Sequence, residues 1–236
     1  MRLLTLDVII SNEIKYMIDH QSISEGEKLP GERELAALLD VQRATVRKGL
    51  KILLNEGWIY AKNRSGYFVS PKRIKKNVYI LGSTSKNIQT EGTEMKLTLI
   101  EREMMEVGKE LSQRIKLPLG TKVFFICRLR TVKNEHVSLE ISYIPVEHAP
   151  TLLEKDLEKK PLYEILEQEY LVDLDHSTQT ITTEKASSQV AALLDIEEGT
   201  SLIREDGLVS SRDGESIEYS ISFMKMDRFE YTNINC

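Results

Sequence analysis

Apolar positions follow a helical period in the first quarter of the chain and mostly a two-residue period after it. Thr5 to about Asp19 reads as a helix, with Val8, Ile9, Ile14 and Met17 near helical spacing. A turn-rich stretch, Ser22 to Gly31, leads into a short helix from Glu32 to Leu39, with Gly31 at its N-cap and Glu34 three residues on. After a tight turn at Asp40-Val41, Val46, Leu50, Leu53 and Leu54 form one apolar stripe along a helix from about Gln42 to Asn55. Gly57 stops that helix, since glycine takes the left-handed backbone a helix end needs. Two short β-type runs follow, Trp58–Ala61 and Tyr67–Ser70, joined by a turn from Lys62 to Gly66.

The stretch 71–77 is basic, broken by Pro71 and without apolar period, so it reads as a linker between a domain of residues 1–70 and another of residues 78–236. The second part alternates. Candidate strands are Leu97–Met105, Thr121–Lys133, His136–Pro145, Asp173–Thr183, Ser201–Ser211 and Glu215–Phe223; candidate helices are Val107–Ile115, Leu162–Tyr170 and Ser187–Leu194. Short turns at Lys133-Asn134-Glu135 and Arg212-Asp213-Gly214 make neighbouring strands antiparallel, so the fold class is α+β. No apolar run approaches the roughly 18–20 residues of a membrane span. The opening MRLLTLDVII lacks a small-residue cleavage site, so no membrane partner is expected and the expected compartment is the cytoplasm.

Charge changes the picture. The chain's net charge of −5 argues against a polyanionic partner, but its distribution argues for one. Residues 1–77 hold 14 Lys/Arg against 9 Asp/Glu, leaving 18 and 28 of the totals of 32 and 37 for the rest. From Val41 to Asn77, Glu56 is the single acid. A small basic module beside a larger acidic one fits a chain in which one module touches nucleic acid. In the third helix Arg43, Arg47 and Lys51 form a ridge apart from the apolar stripe, flanked by Thr45 and Lys48. A short helix, a tight turn and a helix basic in its N-terminal half make a helix-turn-helix whose second helix enters the major groove. The hairpin that follows, with Lys62 and Arg64 at its tip, would be a wing. The same spacing also suits a helical hairpin with a charged solvent face.

The ordered elements Leu29-Pro30, Glu32-Arg33-Glu34-Leu35-Ala36, Arg43, Thr45-Val46-Arg47, Leu50, Leu54, Glu56-Gly57 and Gly66-Tyr67-Phe68-Val69 resemble the winged-helix signature of the GntR family of bacterial regulators. That resemblance implies that Arg33, Arg43, Thr45 and Arg47 face DNA, with the wing tip at Ser65-Gly66 in the minor groove. Lys48 and Arg64 join that candidate set. Three positions depart from the family: Gly31 and Gln42 stand where Ser is usual, and Arg64 where Gly is common.

In the second part, alternation puts Val123, Phe125, Cys127 and Leu129 on one strand face and Arg128 and Arg130, with Phe124 and Ile126, on the other. Ser138, Glu140 and Ser142 share one face of the next strand, and Glu218, Ser220 and Ser222 one face of the last. A half-solvated sheet would look the same, yet two arginines two residues apart on a partly apolar face suit a phosphate or carboxylate. Arg128-Leu129-Arg130, Leu139-Glu140, Tyr143-Ile144-Pro145, Pro161-Leu162-Tyr163-Glu164-Ile165-Leu166, Ile217-Glu218-Tyr219-Ser220 and Asp227-Arg228-Phe229 resemble the UTRA domain of the HutC subfamily. The resemblance implies a six-stranded antiparallel sheet similar to chorismate lyase, used for binding. It further implies a metabolite held by Arg128, Arg130, Glu140, Tyr163 and Glu218, with a loop near Gly82-Ser83-Thr84 around an anionic group. The candidate effector residues are therefore Ser83, Thr84, Arg128, Arg130, Glu140, Ser142, Tyr163 and Glu218. Pro161, Ile221 and Met224 depart from the phosphosugar-binding pattern, each losing a polar contact.

No metal or other cofactor is expected: His20, His136, His148 and His176 are scattered, and neither Cys127 nor Cys236 belongs to a CxxC pair. Glu140 and Glu218 could be an acid/base pair, but the chain has no GxSxG, P-loop or GxGxxG. The expected function is thus a ligand-responsive, DNA-binding transcriptional regulator and not an enzyme. The family implies a homodimeric repressor released from a pseudo-palindromic operator by a small anionic metabolite such as a phosphorylated sugar. The rivals are an enzyme on a chorismate lyase-like sheet with an accessory nucleic-acid-binding module, and a binder of nucleic acid without sequence preference.

Overall fold

The structure, a computed structural model, describes residues 5–20, 23–77 and 95–232. It divides into two compact units, Met1–Arg73 and Ile74–Cys236.

In the first unit, α1 (Leu6–His20), α2 (Glu32–Leu38) and α3 (Arg43–Asn55) precede a hairpin of β1 (Ile59–Lys62) and β2 (Gly66–Val69). The apolar stripe of α3 is the centre of its core. Val46, Leu50 and Leu53 pack fully buried against Ile10, Ile14, Met17 and Ile18 of α1, with Leu35, Ile59 and Val69. The two helices meet at Gly49, where an added Cβ would lie 2.9 Å from Ile10 Cγ2 and 3.3 Å from the backbone of Asp7 and Ser11. A glycine in mid-helix lowers helix propensity; here the close crossing requires it. Gly57 takes φ +75° just past the end of α3, as the helix stop demands. Arg64 takes φ +59° at the hairpin tip, a left-handed conformation that explains why glycine is the easier residue at that position.

The second unit begins inside the expected linker. Ile74–Asn77 is a strand, β3, paired in parallel with β10 (Phe229–Thr232), so only the stretch up to Arg73 lacks regular structure. Neither strand was expected. Both are four residues long, too short for alternation to register, and their partnership spans most of the chain.

The main sheet has six antiparallel strands in the order β4 (Met95–Glu106), β5 (Lys122–Val132), β6 (Glu135–Pro145), β9 (Ser216–Lys225), β8 (Ser201–Ser210) and β7 (His176–Lys185). Each was expected within a few residues of its observed ends. On the face of Phe125, Cys127 and Leu129 pack α4 (Lys109–Ile115), through Leu111 and Ile115, and α6 (Ser188–Leu194), through Ala191 and Leu194. On the opposite face, α5 (Leu162–Glu169) buries Leu162, Ile165 and Leu166 against Phe124, Ile126 and Ile144. Further along that face, Ile74 of β3 and Phe229 of β10 cluster with Val132 and Met224. Neither face is half-solvated over its centre. Arg128 and Arg130 fall between these two apolar clusters on β5, so a polar strip crosses the sheet where the covering elements leave it.

Candidate DNA-binding surface and effector site

The ridge residues of α3 point outward: the side chains of Arg43 and Arg47 are 49% and 64% exposed. They are not independent. Glu32, the first residue of α2, accepts from Arg47 Nε at 3.0 Å and from Arg47 Nη2 at 2.8 Å, and from Arg43 Nη2 at 3.2 Å. Such a two-pronged carboxylate–guanidinium contact fixes the guanidinium plane. The bond from Arg47, followed by that from Arg43, outweighs burial and holds the Glu32 carboxyl below its usual range. Glu32 was part of the sequence signature but had no role assigned; eleven and fifteen residues separate it from its partners, a spacing that only the tight turn between α2 and α3 makes meaningful.

Arg33 is exposed on α2, Thr45 is half-buried, and Arg64 and Gly66 are exposed at the hairpin tip. Lys62 stands over the Phe68 ring at 4.6 Å. Lys48 is exposed too, but it is within electrostatic reach of Asp7 of α1 and thus lies off the ridge. The N-caps are plain. The Gly31 N–H donates to Glu34 Oε2 at 2.7 Å, and at Gln42 the backbone carbonyl, not the side chain, takes the Thr45 and Val46 amides. The departures from serine at positions 31 and 42 therefore remove side-chain caps without disturbing the helices.

In the second unit the cross-strand registers line up Arg128, Glu140, Ser222 and Glu205 from β5, β6, β9 and β8 in one row, with Ile126, Ser142, Ser220 and Gly207 in the next. Arg128, Arg130, Ser142 and Glu218 are all buried. Arg130 donates to Glu140 Oε1 from Nε at 2.9 Å and Nη2 at 2.6 Å, while Arg128 Nη2 stands 3.5 Å from Oε2. Burial opposes ionisation of Glu140, but the two guanidiniums outweigh it and hold the carboxyl below its usual range. Tyr163 of α5 donates to Glu218 Oε2, and Ser142 also hydrogen-bonds that carboxyl. Burial nonetheless pushes the Glu218 carboxyl up. Arg128 Nε and Ser138 Oγ are buried with no hydrogen-bond partner among the described residues. A buried donor left unpaired costs roughly 1–3 kcal/mol, so both are places where a ligand or water belongs.

Six of the eight expected effector residues therefore stand in one cluster. The other two, Ser83 and Thr84, lie outside the described residues. Three neighbours were missed. Lys76 of β3 reaches Glu205 Oε1 at 2.6 Å, and Tyr231 of β10 donates to Glu205 Oε2 at 2.6 Å. Alternation of Ile203, Glu205, Gly207 and Val209 could have flagged Glu205; nothing in the sequence marks Lys76 as other than linker. Two of the departures read differently in place. Ile221 is on the opposite sheet face with Tyr143 and Tyr219, so it removes nothing from the cluster. Met224 is buried on the cluster's face, 3.8 Å from the Tyr231 hydroxyl.

Among the described residues, no group of three or more His, Cys, Asp or Glu could hold a metal ion, and no helix is long and apolar enough to cross a membrane. Burial pushes the Cys127 thiol up to about 11, which leaves it a packing residue and a poor nucleophile.

Residues 8–69 match the family model of the bacterial regulatory proteins of the gntR family, and residues 90–230 match the UTRA domain. The chain is 24% identical over 224 residues to the HTH-type transcriptional repressor NagR of Bacillus subtilis (strain 168), covering 95% of this chain and 92% of that one. It is 23% identical over 225 residues to the mannosyl-D-glycerate transport/metabolism system repressor MngR of Escherichia coli (strain K12), covering 95% and 93%. Among solved structures, PhnF from Mycobacterium smegmatis superposes with a TM-score of 0.73 at 24% identity, covering 96% of this chain and 99% of that one. A winged helix with an outward arginine ridge, followed by a six-stranded UTRA sheet, makes this chain a member of the GntR family in its UTRA-bearing HutC branch: a ligand-responsive, DNA-binding transcriptional regulator and not an enzyme.

Proposed function

We propose that this regulator is a homodimeric repressor whose two recognition helices read a pseudo-palindromic operator, and that a small anionic metabolite, a phosphorylated sugar or a sugar acid, releases it. Arg43 and Arg47 take the base edges, since a planar guanidinium bonds both major-groove acceptors of guanine. Arg33 and Thr45 contact the flanking backbone, Lys48 adds phosphate attraction, and Arg64 with Gly66 enters the minor groove. The metabolite sits on the polar strip against Arg128, Arg130, Glu140, Ser142, Tyr163 and Glu218, with Ser83 and Thr84 around its anionic group.

The observation that carries the effector reading is the unpartnered Nε of the buried Arg128. Arg130 puts two of its donors on Glu140; Arg128 keeps one in hand, beside hydroxyls that suit a sugar. One similar protein is named as the repressor of a mannosyl-D-glycerate transport/metabolism system, and a glycerate carries a carboxylate, which supports the anionic reading. A thermal-shift screen of hexose phosphates, sugar acids and their uncharged parents tests this directly. The charged compounds should raise the Tm of the wild-type protein. In Arg128→Ala, loss of a charge-assisted bond of about 1.5–3 kcal/mol should weaken the best binder roughly tenfold or more. Equal shifts with charged and uncharged compounds would refute the anionic effector.

A further inference from the structure

The hairpin of the first unit has a third member. Residues 26–29 run antiparallel along β2: the Gly26 N–H donates to the Val69 carbonyl, the Val69 N–H to that of Glu27 and the Leu29 N–H to that of Tyr67, each at 2.9 Å, so that Lys28 directly faces Phe68. Directly facing residues share one side of a sheet. Ile59 and Val69 turn theirs into the core, so Lys28, Tyr60, Lys62 and Phe68 stand together on the outer side. There the rings of Tyr60 and Phe68 stack at 5.7 Å, and Lys62 Nζ stands over both, 5.7 and 4.6 Å from their centroids. From the opposite flank the Lys28 stem runs along Gly66 at the hairpin tip, its Cε 3.3 Å from where a Cβ on that glycine would lie. Both lysines are exposed. Ion pairs in this unit take up Lys15, Arg43 and Arg47, whereas Lys28 and Lys62 are in none among the described residues.

We propose that Lys28 and Lys62 grip the phosphates of the minor-groove wall on the side of the hairpin turned away from α3. This rests on the reading above, in which Arg64 and Gly66 enter the minor groove, and adds a contact from outside the hairpin itself. A tip lodged in a groove has one sugar-phosphate backbone on either side. The core side of the hairpin packs toward the helices, so its outer side meets the other backbone, and no acid from Gly57 to Asn77 offsets the charge it presents. An ammonium is a compact point charge that suits a phosphate. Lys62 is held over two rings and Lys28 lies along the tip, so little side-chain freedom remains to be lost on binding. Gly66 serves twice: it takes φ +105°, and its missing side chain leaves the path that the Lys28 stem follows. Contacts of this kind position a protein and carry affinity without reading sequence.

The test is the salt dependence of binding by the full chain to a duplex that the wild-type protein selects from random sequence, followed by fluorescence anisotropy. Lys28→Gln should lower the slope of log K against log salt by about 0.9 for each head bound, with the preferred sequence and the circular dichroism melt unchanged. Lys62→Gln should lower it by the same amount, the double variant by the sum, and Lys28→Arg should keep the wild-type slope. Lys159→Gln, which removes an exposed ammonium of the second unit, should leave the slope alone, so that the loss reports a contact and not net charge. A folded Lys28→Gln chain with the wild-type slope overturns the proposal. If Arg64→Gln still lowers the slope, the hairpin tip keeps its place in the minor groove; if Arg64→Gln also leaves it unchanged, that reading falls too.

Discussion

If Arg43 and Arg47 read the operator as proposed, Glu32 decides how they meet it. Held by its carboxylate, their guanidiniums stay exposed with the Arg47 plane fixed, so they would reach a base edge already oriented. The same carboxylate reduces the positive charge offered to phosphates. Glu32→Ala should therefore raise affinity for random duplex DNA, steepen its salt dependence and shrink the ratio of specific to non-specific binding. Fluorescence anisotropy against both duplexes at several salt concentrations measures all three; a larger ratio would contradict the orienting role. In the second unit, Glu218 titrates in a direction that can be checked. Its folded pKa lies above the unfolded one, so the folded protein holds a proton that the unfolded chain has released. Stability is then full below the ordinary carboxylate range and is lost as pH rises through the raised value. Glu218→Gln keeps an acceptor for Tyr163 and does not titrate. Calorimetry from pH 5 to 8 should show it gaining on wild type as pH rises; parallel curves would place the shift elsewhere.

At the scale of elements, the crossing of α1 and α3 sets where the ridge points. Alanine is the better helix former by roughly 1 kcal/mol, which favours Gly49→Ala in isolation. At this crossing its Cβ would press on Ile10 and on the α1 backbone, so the variant should melt lower than wild type by several degrees. A higher Tm would show that the crossing relaxes. The elements legible in the sequence were those with enough residues to express a period. The stripe of α3 and the alternation of β5, β6 and β9 gave both their existence and their faces. β3 and β10 were not legible, because four-residue strands hold no period and their pairing joins distant segments. The Glu32 clamp and the Lys76–Glu205–Tyr231 cluster escaped for the same reason: side chains brought together by packing have no signature in spacing.

At the scale of the molecule, the charge division matches the unit that carries the DNA-binding family's domain, and the two units hold arginines of opposite kinds. Arg43 and Arg47 are exposed and oriented; Arg128 and Arg130 are buried and paired with Glu140. Removing Glu140 would take from two buried guanidiniums the carboxylate they share. Glu140→Ala should cost about 3–5 kcal/mol, visible as a much lower urea midpoint with an unchanged slope. Loss of less than about 1 kcal/mol would mean that the guanidiniums find water.

The most direct test of the whole account is the sequence preference of Arg47→Ala. On a duplex selected from random sequence by the wild-type protein, the variant should lose roughly 1–3 kcal/mol of binding, about fivefold to more than a hundredfold, and its footprint should weaken or vanish at wild-type protein concentrations while its melt stays unchanged. A folded Arg47→Ala that protects the same bases with the same affinity would contradict the claim that the α3 ridge reads the operator.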